Sequence, residues 1–147
     1  MRSKLLDESN GEKVFAVVLQ PGDEVTDALL RFAKAEHIIA ASLTAIGAFE
    51  RATVGWFDIE RKQYRPIPIE EQVELLSCIG DFSLTEEGEP QLHAHVVVGR
   101  SDGTTRGGHL LEAYVRPTFE AIVSGSPAYL RRTFDPSSGL SFIDLSL

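Results

Sequence analysis

The chain has 147 residues, 43% of them hydrophobic, with a formal net charge of −8. That length and apolar content suit one domain, spanning residues 1–147, with a sizeable core. So large an acid excess works against sequence-independent attraction to phosphate backbones, which depends on clustered Lys and Arg.

Met1 to Leu6 carries too short an apolar run for a signal peptide or a membrane span, so the expected location is the cytoplasm, with no membrane partner. Val14–Leu19 reads as a short buried strand closed by the turn pair Pro21-Gly22. Asp23 then has the chemistry of a helix N-cap, and Val25, Ala28, Leu29 and Phe32 form one apolar stripe, which predicts a helix from Glu24 to His37. His37, at the end of that helix, is placed to meet the helix dipole and is assigned no other role.

From Ala41 onward the pattern becomes β-type. Strands are expected at Ser42–Ala48, Ala52–Ile59, Gln63–Ile69 and Val73–Phe82, then at His93–Val98, His109–Val115 and Phe119–Val123. Frequent glycines mark bends and bulges. Glu86 to Pro90 reads as an exposed loop, and Asp135-Pro136-Ser137-Ser138-Gly139 as the turn of a C-terminal hairpin between Tyr129–Phe134 and Leu140–Leu145. The expected class is α+β, a mainly antiparallel and strongly curved sheet packed with one principal helix. Cys78 is the only cysteine, which excludes an internal disulfide, and its apolar surroundings predict a buried, inert thiol. Trp56 and Phe57 are expected to fill core or interface volume.

Three of the four histidines fall within seventeen residues, in Leu92-His93-Ala94-His95-Val96 and Gly107-Gly108-His109-Leu110. On a strand, residues two apart share a face, so His93 and His95 point the same way. A two-residue turn at Asp102-Gly103 would pair Ser101 with Thr104 and set His109 opposite Val96, on the wrong face. One extra residue at a Gly107-Gly108 bulge would bring His109 opposite Val97 and diagonal to His95; a longer loop is the alternative route.

These segments, together with Asp102-Gly103, Val115-Arg116-Pro117-Thr118-Phe119-Glu120 and the strand Val73 to Phe82, resemble the prokaryotic branch of the plants-and-prokaryotes conserved domain family, PPC or PCC. The resemblance implies a PPC-like α+β fold and a homotrimer. It also implies a divalent metal held by the positions that match the histidine motif, His93, His95 and His109. Plant members carry the domain behind AT-hook segments, and prokaryotic relatives are often described as DNA-binding on that ground. The Arg-Gly-Arg-Pro core of an AT-hook is absent here; Arg65-Pro66 does not reproduce it.

Read as chemistry, three neutral imidazoles bind zinc and leave a fourth position open, while nickel, iron and manganese also accept nitrogen ligands. The plainer alternative is three polar residues hydrogen-bonded in a wet cleft or subunit interface. Glu74, Glu112 and Glu120 are candidates for a fourth ligand, for a carboxylate bracing a ligand histidine, or for a general base, with Glu74 preferred because its strand is otherwise apolar. Arg100, Arg106 and Arg116 are candidates for binding the carboxylate or phosphate of a small anionic ligand, with ion pairing as the alternative. The expected function is a metal-holding homotrimer that binds or transforms a small anion. The alternative is a DNA-binding or regulatory protein, which would need Arg100, Arg106, Arg116, Arg131 and Arg132 to gather on one surface.

Overall fold

The apolar stripe folds as expected into the one helix of the computed structural model, which describes residues 1–146: α1 (Val25–Ala35) buries Val25, Ala28, Leu29, Phe32 and Ala33. Its cap is Glu24, whose carboxylate accepts from the Asp27 N–H at 2.8 Å. Asp23, the expected cap, instead accepts from the Gln20 N–H and from the N-terminal amine, each at 2.9 Å. The helix ends before His37, which lies outside it in the left-handed region at φ 55° and whose backbone N–H donates to the Lys34 carbonyl of the last turn at 3.3 Å.

The sequence predicts ten strands; with the first not among them and two expected pairs merged, the described residues form nine. They are β1 (Arg2–Ser9), β2 (Glu12–Leu19), β3 (Ala41–Asp58), β4 (Gln63–Ile69) and β5 (Val73–Leu84). After them come β6 (Pro90–Gly99), β7 (Thr105–Gly125), β8 (Arg132–Asp135) and β9 (Leu140–Ile143). β1 gave no sequence signal because it is exposed along its whole length, so no alternation was needed to make it an edge strand. The pairs expected at 42–48 with 52–59, and at 109–115 with 119–123, are each one long strand. Register shifts between Gly47 and Phe49, and again to Arg51, absorb the irregularities that read as breaks.

Every strand pair of the seven-stranded sheet is antiparallel, in the order β1-β2-β7-β6-β5-β3-β4. β3 also pairs with β7, so β3, β5, β6 and β7 close a ring. The helix packs against β6 and β7, and Phe32 meets Phe15 edge to face at 5.3 Å. Burying each such ring contributes about 2–3 kcal/mol. Cys78 is buried, and desolvation pushes its thiol up to about 12, which keeps it protonated and inert.

The turn between β6 and β7 decides where the third histidine lands. Gly99 pairs with Thr105 and the Arg100 N–H donates to the Thr104 carbonyl at 2.9 Å, leaving a three-residue loop with Gly103 at φ 81°. Relative to a two-residue turn, this shifts the register by one and sets His109 directly opposite His95. No bulge interrupts β6 against β7, so the bulge expected at Gly107-Gly108 is absent and the longer loop does the work.

The glycines serve close approach instead: a Cβ on Gly107 would lie 2.7 Å from the Val96 carbonyl oxygen, and one on Gly108 2.7 Å from that of Gly55. Gly107→Val is expected to destabilise the chain by about 1–3 kcal/mol through overpacking against fixed backbone. An unchanged urea midpoint would show that the strand can move aside.

Candidate metal centre

Alternation on β6 buries Ala94, Val96 and Val98 and leaves His93 and His95 on the open face, where register adds His109 from β7. One ring nitrogen from each of the three lies within 4.8 Å of the others. His93 Nε2 and His95 Nε2 are 3.3 Å apart, and the ring centroids stand 5.1–5.4 Å from one another. Three lone-pair donors thus converge on one small volume, the arrangement a divalent ion requires.

His93 is braced from behind. Its Nδ1 lies 3.5 Å from Asp81 Oδ2 and 3.0 Å from Arg132 Nη2. Either tautomer has a partner: with the proton on Nε2, Nδ1 accepts from Arg132, and with the proton on Nδ1, that N–H faces the Asp81 carboxylate. The second form frees the Nε2 lone pair for a metal.

Asp81 sits there because β5 pairs it directly with His93. Arg132, on β8, is 7% exposed and donates to both Asp81 oxygens at 2.9 and 3.0 Å, to Ser83 Oγ at 3.2 Å and to the Ser141 carbonyl at 3.1 Å. Burial would raise the Asp81 carboxyl, but hydrogen bonds from His93 and Arg132 and the guanidinium charge hold it below its ordinary value, so it stays an acceptor. Asp81→Asn is expected to weaken metal binding by about 10–100-fold, measured by chelator competition. Equal affinity would remove Asp81 from the site.

His109 is the deepest of the three. Tyr64 stacks on it, with centroids 4.5 Å apart and planes 23° apart. That contact passes over Gly55, the residue paired with His109 on β3, where a Cβ would come within 2.7 Å of Tyr64 Cδ1. Burial, with smaller effects from His93, His95 and Arg132, lowers His109 to about 4; burial and His93 also lower His95. Both rings are therefore neutral at neutral pH and able to ligate. The buried His109 Nδ1 has no hydrogen-bond partner within the protein, which is the kind of atom a bound ion or ordered water satisfies. The donor set fits a divalent metal.

The same shift sets a pH dependence for the chelator-treated protein. An unfolded histidine protonates near its ordinary 6.5, whereas native His109 resists until about 4. The unfolded state therefore binds more protons across that window, and stability falls as pH drops from 6.5 towards 4. Calorimetric scans should show this slope, and His109→Phe should reduce it; identical slopes would refute the assignment.

A cleft of about 600 Å³ opens in front of the trio, lined by residues of β3, β4, β6, β7 and the β8–β9 hairpin. Trp56, expected in the core or an interface, is 54% exposed on the cleft wall. The three glutamates do not line the cleft. Glu74 is exposed at the start of β5, where it pairs with Gly99, Glu112 accepts from the Tyr114 hydroxyl at 2.8 Å, and Glu120 is exposed beside Ile122.

The arginines lie elsewhere too. Arg100 pairs with Glu71 at 2.6 Å, Arg116 reaches Glu50 at 3.9 Å, and Arg106 is exposed on β7. The carboxylate that does meet the histidines, Asp81, carried the signal used to favour Glu74, a charge in an apolar strand; its register opposite His93 decides between them. Arg132 had no local signal.

A closed antiparallel sheet that presents three convergent imidazoles beside a cleft defines a β-rich protein with a metal-type site. A model of the Plants and Prokaryotes Conserved (PCC) domain matches residues 6–126, and the chain belongs to that family. The metal-containing protein AF0104 from Archaeoglobus fulgidus is 34% identical with a TM-score of 0.82, over 88% of this chain and 91% of its own. A candidate DNA-binding protein from Ralstonia eutropha JMP134 is also 34% identical, with a TM-score of 0.84 over 97% and 96% of the two chains. Among curated proteins, the bifunctional protein GlmU of Synechococcus sp. (strain JA-3-3Ab) is 31% identical over 130 residues, 86% of this chain. This chain spans 20% of that relative's length.

Proposed function

We propose that the chain holds a divalent metal, zinc first, on His93, His95 and His109, and that the loaded site binds or transforms a small anionic molecule. The observation that carries this reading is the convergence of three ring nitrogens within 4.8 Å on the open face of one sheet. Support comes from the unpartnered His109 Nδ1 and from the metal-containing relative. The ion would supply Lewis acidity; Asp81 would hold the His93 tautomer, and Tyr64 the His109 ring. Elemental analysis of protein purified without a histidine tag tests the reading, with about one metal per chain expected and metal-free protein refuting it.

We propose further that the protein works as a cytoplasmic homotrimer, the assembly that the family resemblance implies. Ile46, Leu76, Ile79 and Ile122 lie between 44% and 64% exposed around one shallow depression, and Ile79 pairs directly with His95. A contiguous apolar face of this kind suits burial against further copies. Light scattering should give three times the chain mass, and Ile79→Lys should dissociate it. Among the described residues no helix is long and apolar enough to cross a membrane.

The second reading, DNA binding, is favoured by the Ralstonia relative. Against it, Arg100, Arg116 and Arg132 are paired with acids. Duplex binding at low salt that weakens steeply as salt is added would support this reading; no binding at low salt would end it.

A further inference from the structure

The cleft before the histidines has two parts of different standing in the chain. Its floor comes from strands inside the 6–126 segment that matches the family, whereas Phe134, Leu140 and Phe142 reach it from the β8–β9 hairpin beyond that segment. The hairpin is fastened to the site by Arg132, through Asp81 and Ser83, and by Glu86, whose carboxylate accepts from the Phe134 N–H at 3.1 Å. It is therefore a fixed wall rather than a loose tail.

What that wall presents is aromatic. Phe134 and Phe142 are about half exposed, at 55% and 49%, and Trp56 stands in the same lining from β3. Flat rings left open to water in a concave site gain free energy when a second apolar surface covers them, and they favour offset or edge contacts with another ring.

The charge pattern is equally selective. Although the chain carries 22 acidic residues, no Asp or Glu is among the described residues that line this cleft. The one cationic side chain there, Arg132, is already committed to Asp81, Ser83 and Ser141. A cation held by three neutral imidazoles would keep its full charge at the inner end, complementary to an anion. A volume of about 600 Å³ is that of a small-molecule site.

We infer that the β8–β9 hairpin is the specificity element of the cleft, and that it selects small acids bearing an aromatic or flat apolar group. The acid group takes the histidine end, and the ring lies against Phe134, Phe142 and Trp56. This rests on the metal reading above.

The test uses the full chain loaded with zinc, after its zinc affinity has been measured by chelator competition. Phenylacetate, acetate and benzyl alcohol are then titrated by calorimetry, with the fluorescence of Trp56, the single tryptophan, as a second readout. Phenylacetate should bind at least about tenfold tighter than acetate or the neutral alcohol and should perturb Trp56, since fully desolvating a ring is worth more than one factor of ten. In the double variant Phe134→Ser/Phe142→Ser, zinc affinity should be unchanged and the preference over acetate should fall below about threefold.

Equal binding of phenylacetate and acetate, equal binding of the alcohol, or a preference that survives the double variant would overturn the inference while leaving the metal reading intact. Failure to bind zinc would overturn both, because the acid group would then have lost its anchor.

Discussion

The double variant His93→Ala/His95→Ala should lose its metal and keep its fold. Two of three nitrogen donors disappear, and a single imidazole does not hold a divalent ion against water, so metal content is expected to fall from about one to below about 0.1 per chain. Both side chains stand on the open face of β6, whereas the core contacts of that strand come from Ala94, Val96 and Val98. The substitutions therefore remove ligands without opening a cavity. Elemental analysis and a thermal melt of the chelator-treated proteins read the two halves separately. Full metal content in the variant would show that the ion sits elsewhere; a collapsed melt would show that the histidines serve the fold.

Arg132→Met should be the most destabilising single change near the site. Arg132 is nearly buried, and its guanidinium satisfies Asp81, Ser83 and the Ser141 carbonyl together. Removing one partner of such a pair leaves a half-buried carboxylate without its cation, at a cost of about 2–4 kcal/mol after discounting for the solvent that still reaches Asp81. For a domain of this size that is a fall in Tm of roughly 5–15 °C.

Because the cost lies chiefly in the abandoned charge, Asp81→Asn/Arg132→Met should be less destabilised than Arg132→Met alone. Additive losses would mean that the ion pair matters little and that Arg132 acts through packing of its stem. The consequence for the site is direct, since the same guanidinium fastens the β8–β9 hairpin beside His93.

Much of this was legible in the residues. His-x-His on a strand puts two rings on one face by the two-residue period, and the stripe in α1 is a local pattern read without knowledge of neighbours. Cys78 in an apolar run, the Asp135 to Gly139 turn and the strand Gln63–Ile69 were equally local. Register was open by one residue. Asp102-Gly103 as a two-residue turn would place His109 on the wrong face, and of the two remedies the sequence left open, a bulge at Gly107-Gly108 or a longer loop, the structure takes the longer loop. Asp23 lost the helix cap to Glu24 because the N-terminal amine and Gln20 claimed its carboxylate.

The chain by itself determined which residues have metal-binding chemistry, which face of the histidine strand is apolar and that a helix follows the strand at Val14–Leu19, because periodicity and side-chain type act over a few neighbours. Tertiary structure alone decided that Asp81 rather than Glu74, Glu112 or Glu120 meets the histidines, that Arg132 arrives from a hairpin 39 positions beyond His93, and that Tyr64 covers His109 over Gly55. Those outcomes depend on strand order and on how a closed sheet returns distant segments to one spot. No local window contains that information, since the same Asp, Arg or Tyr in another register would face solvent or core.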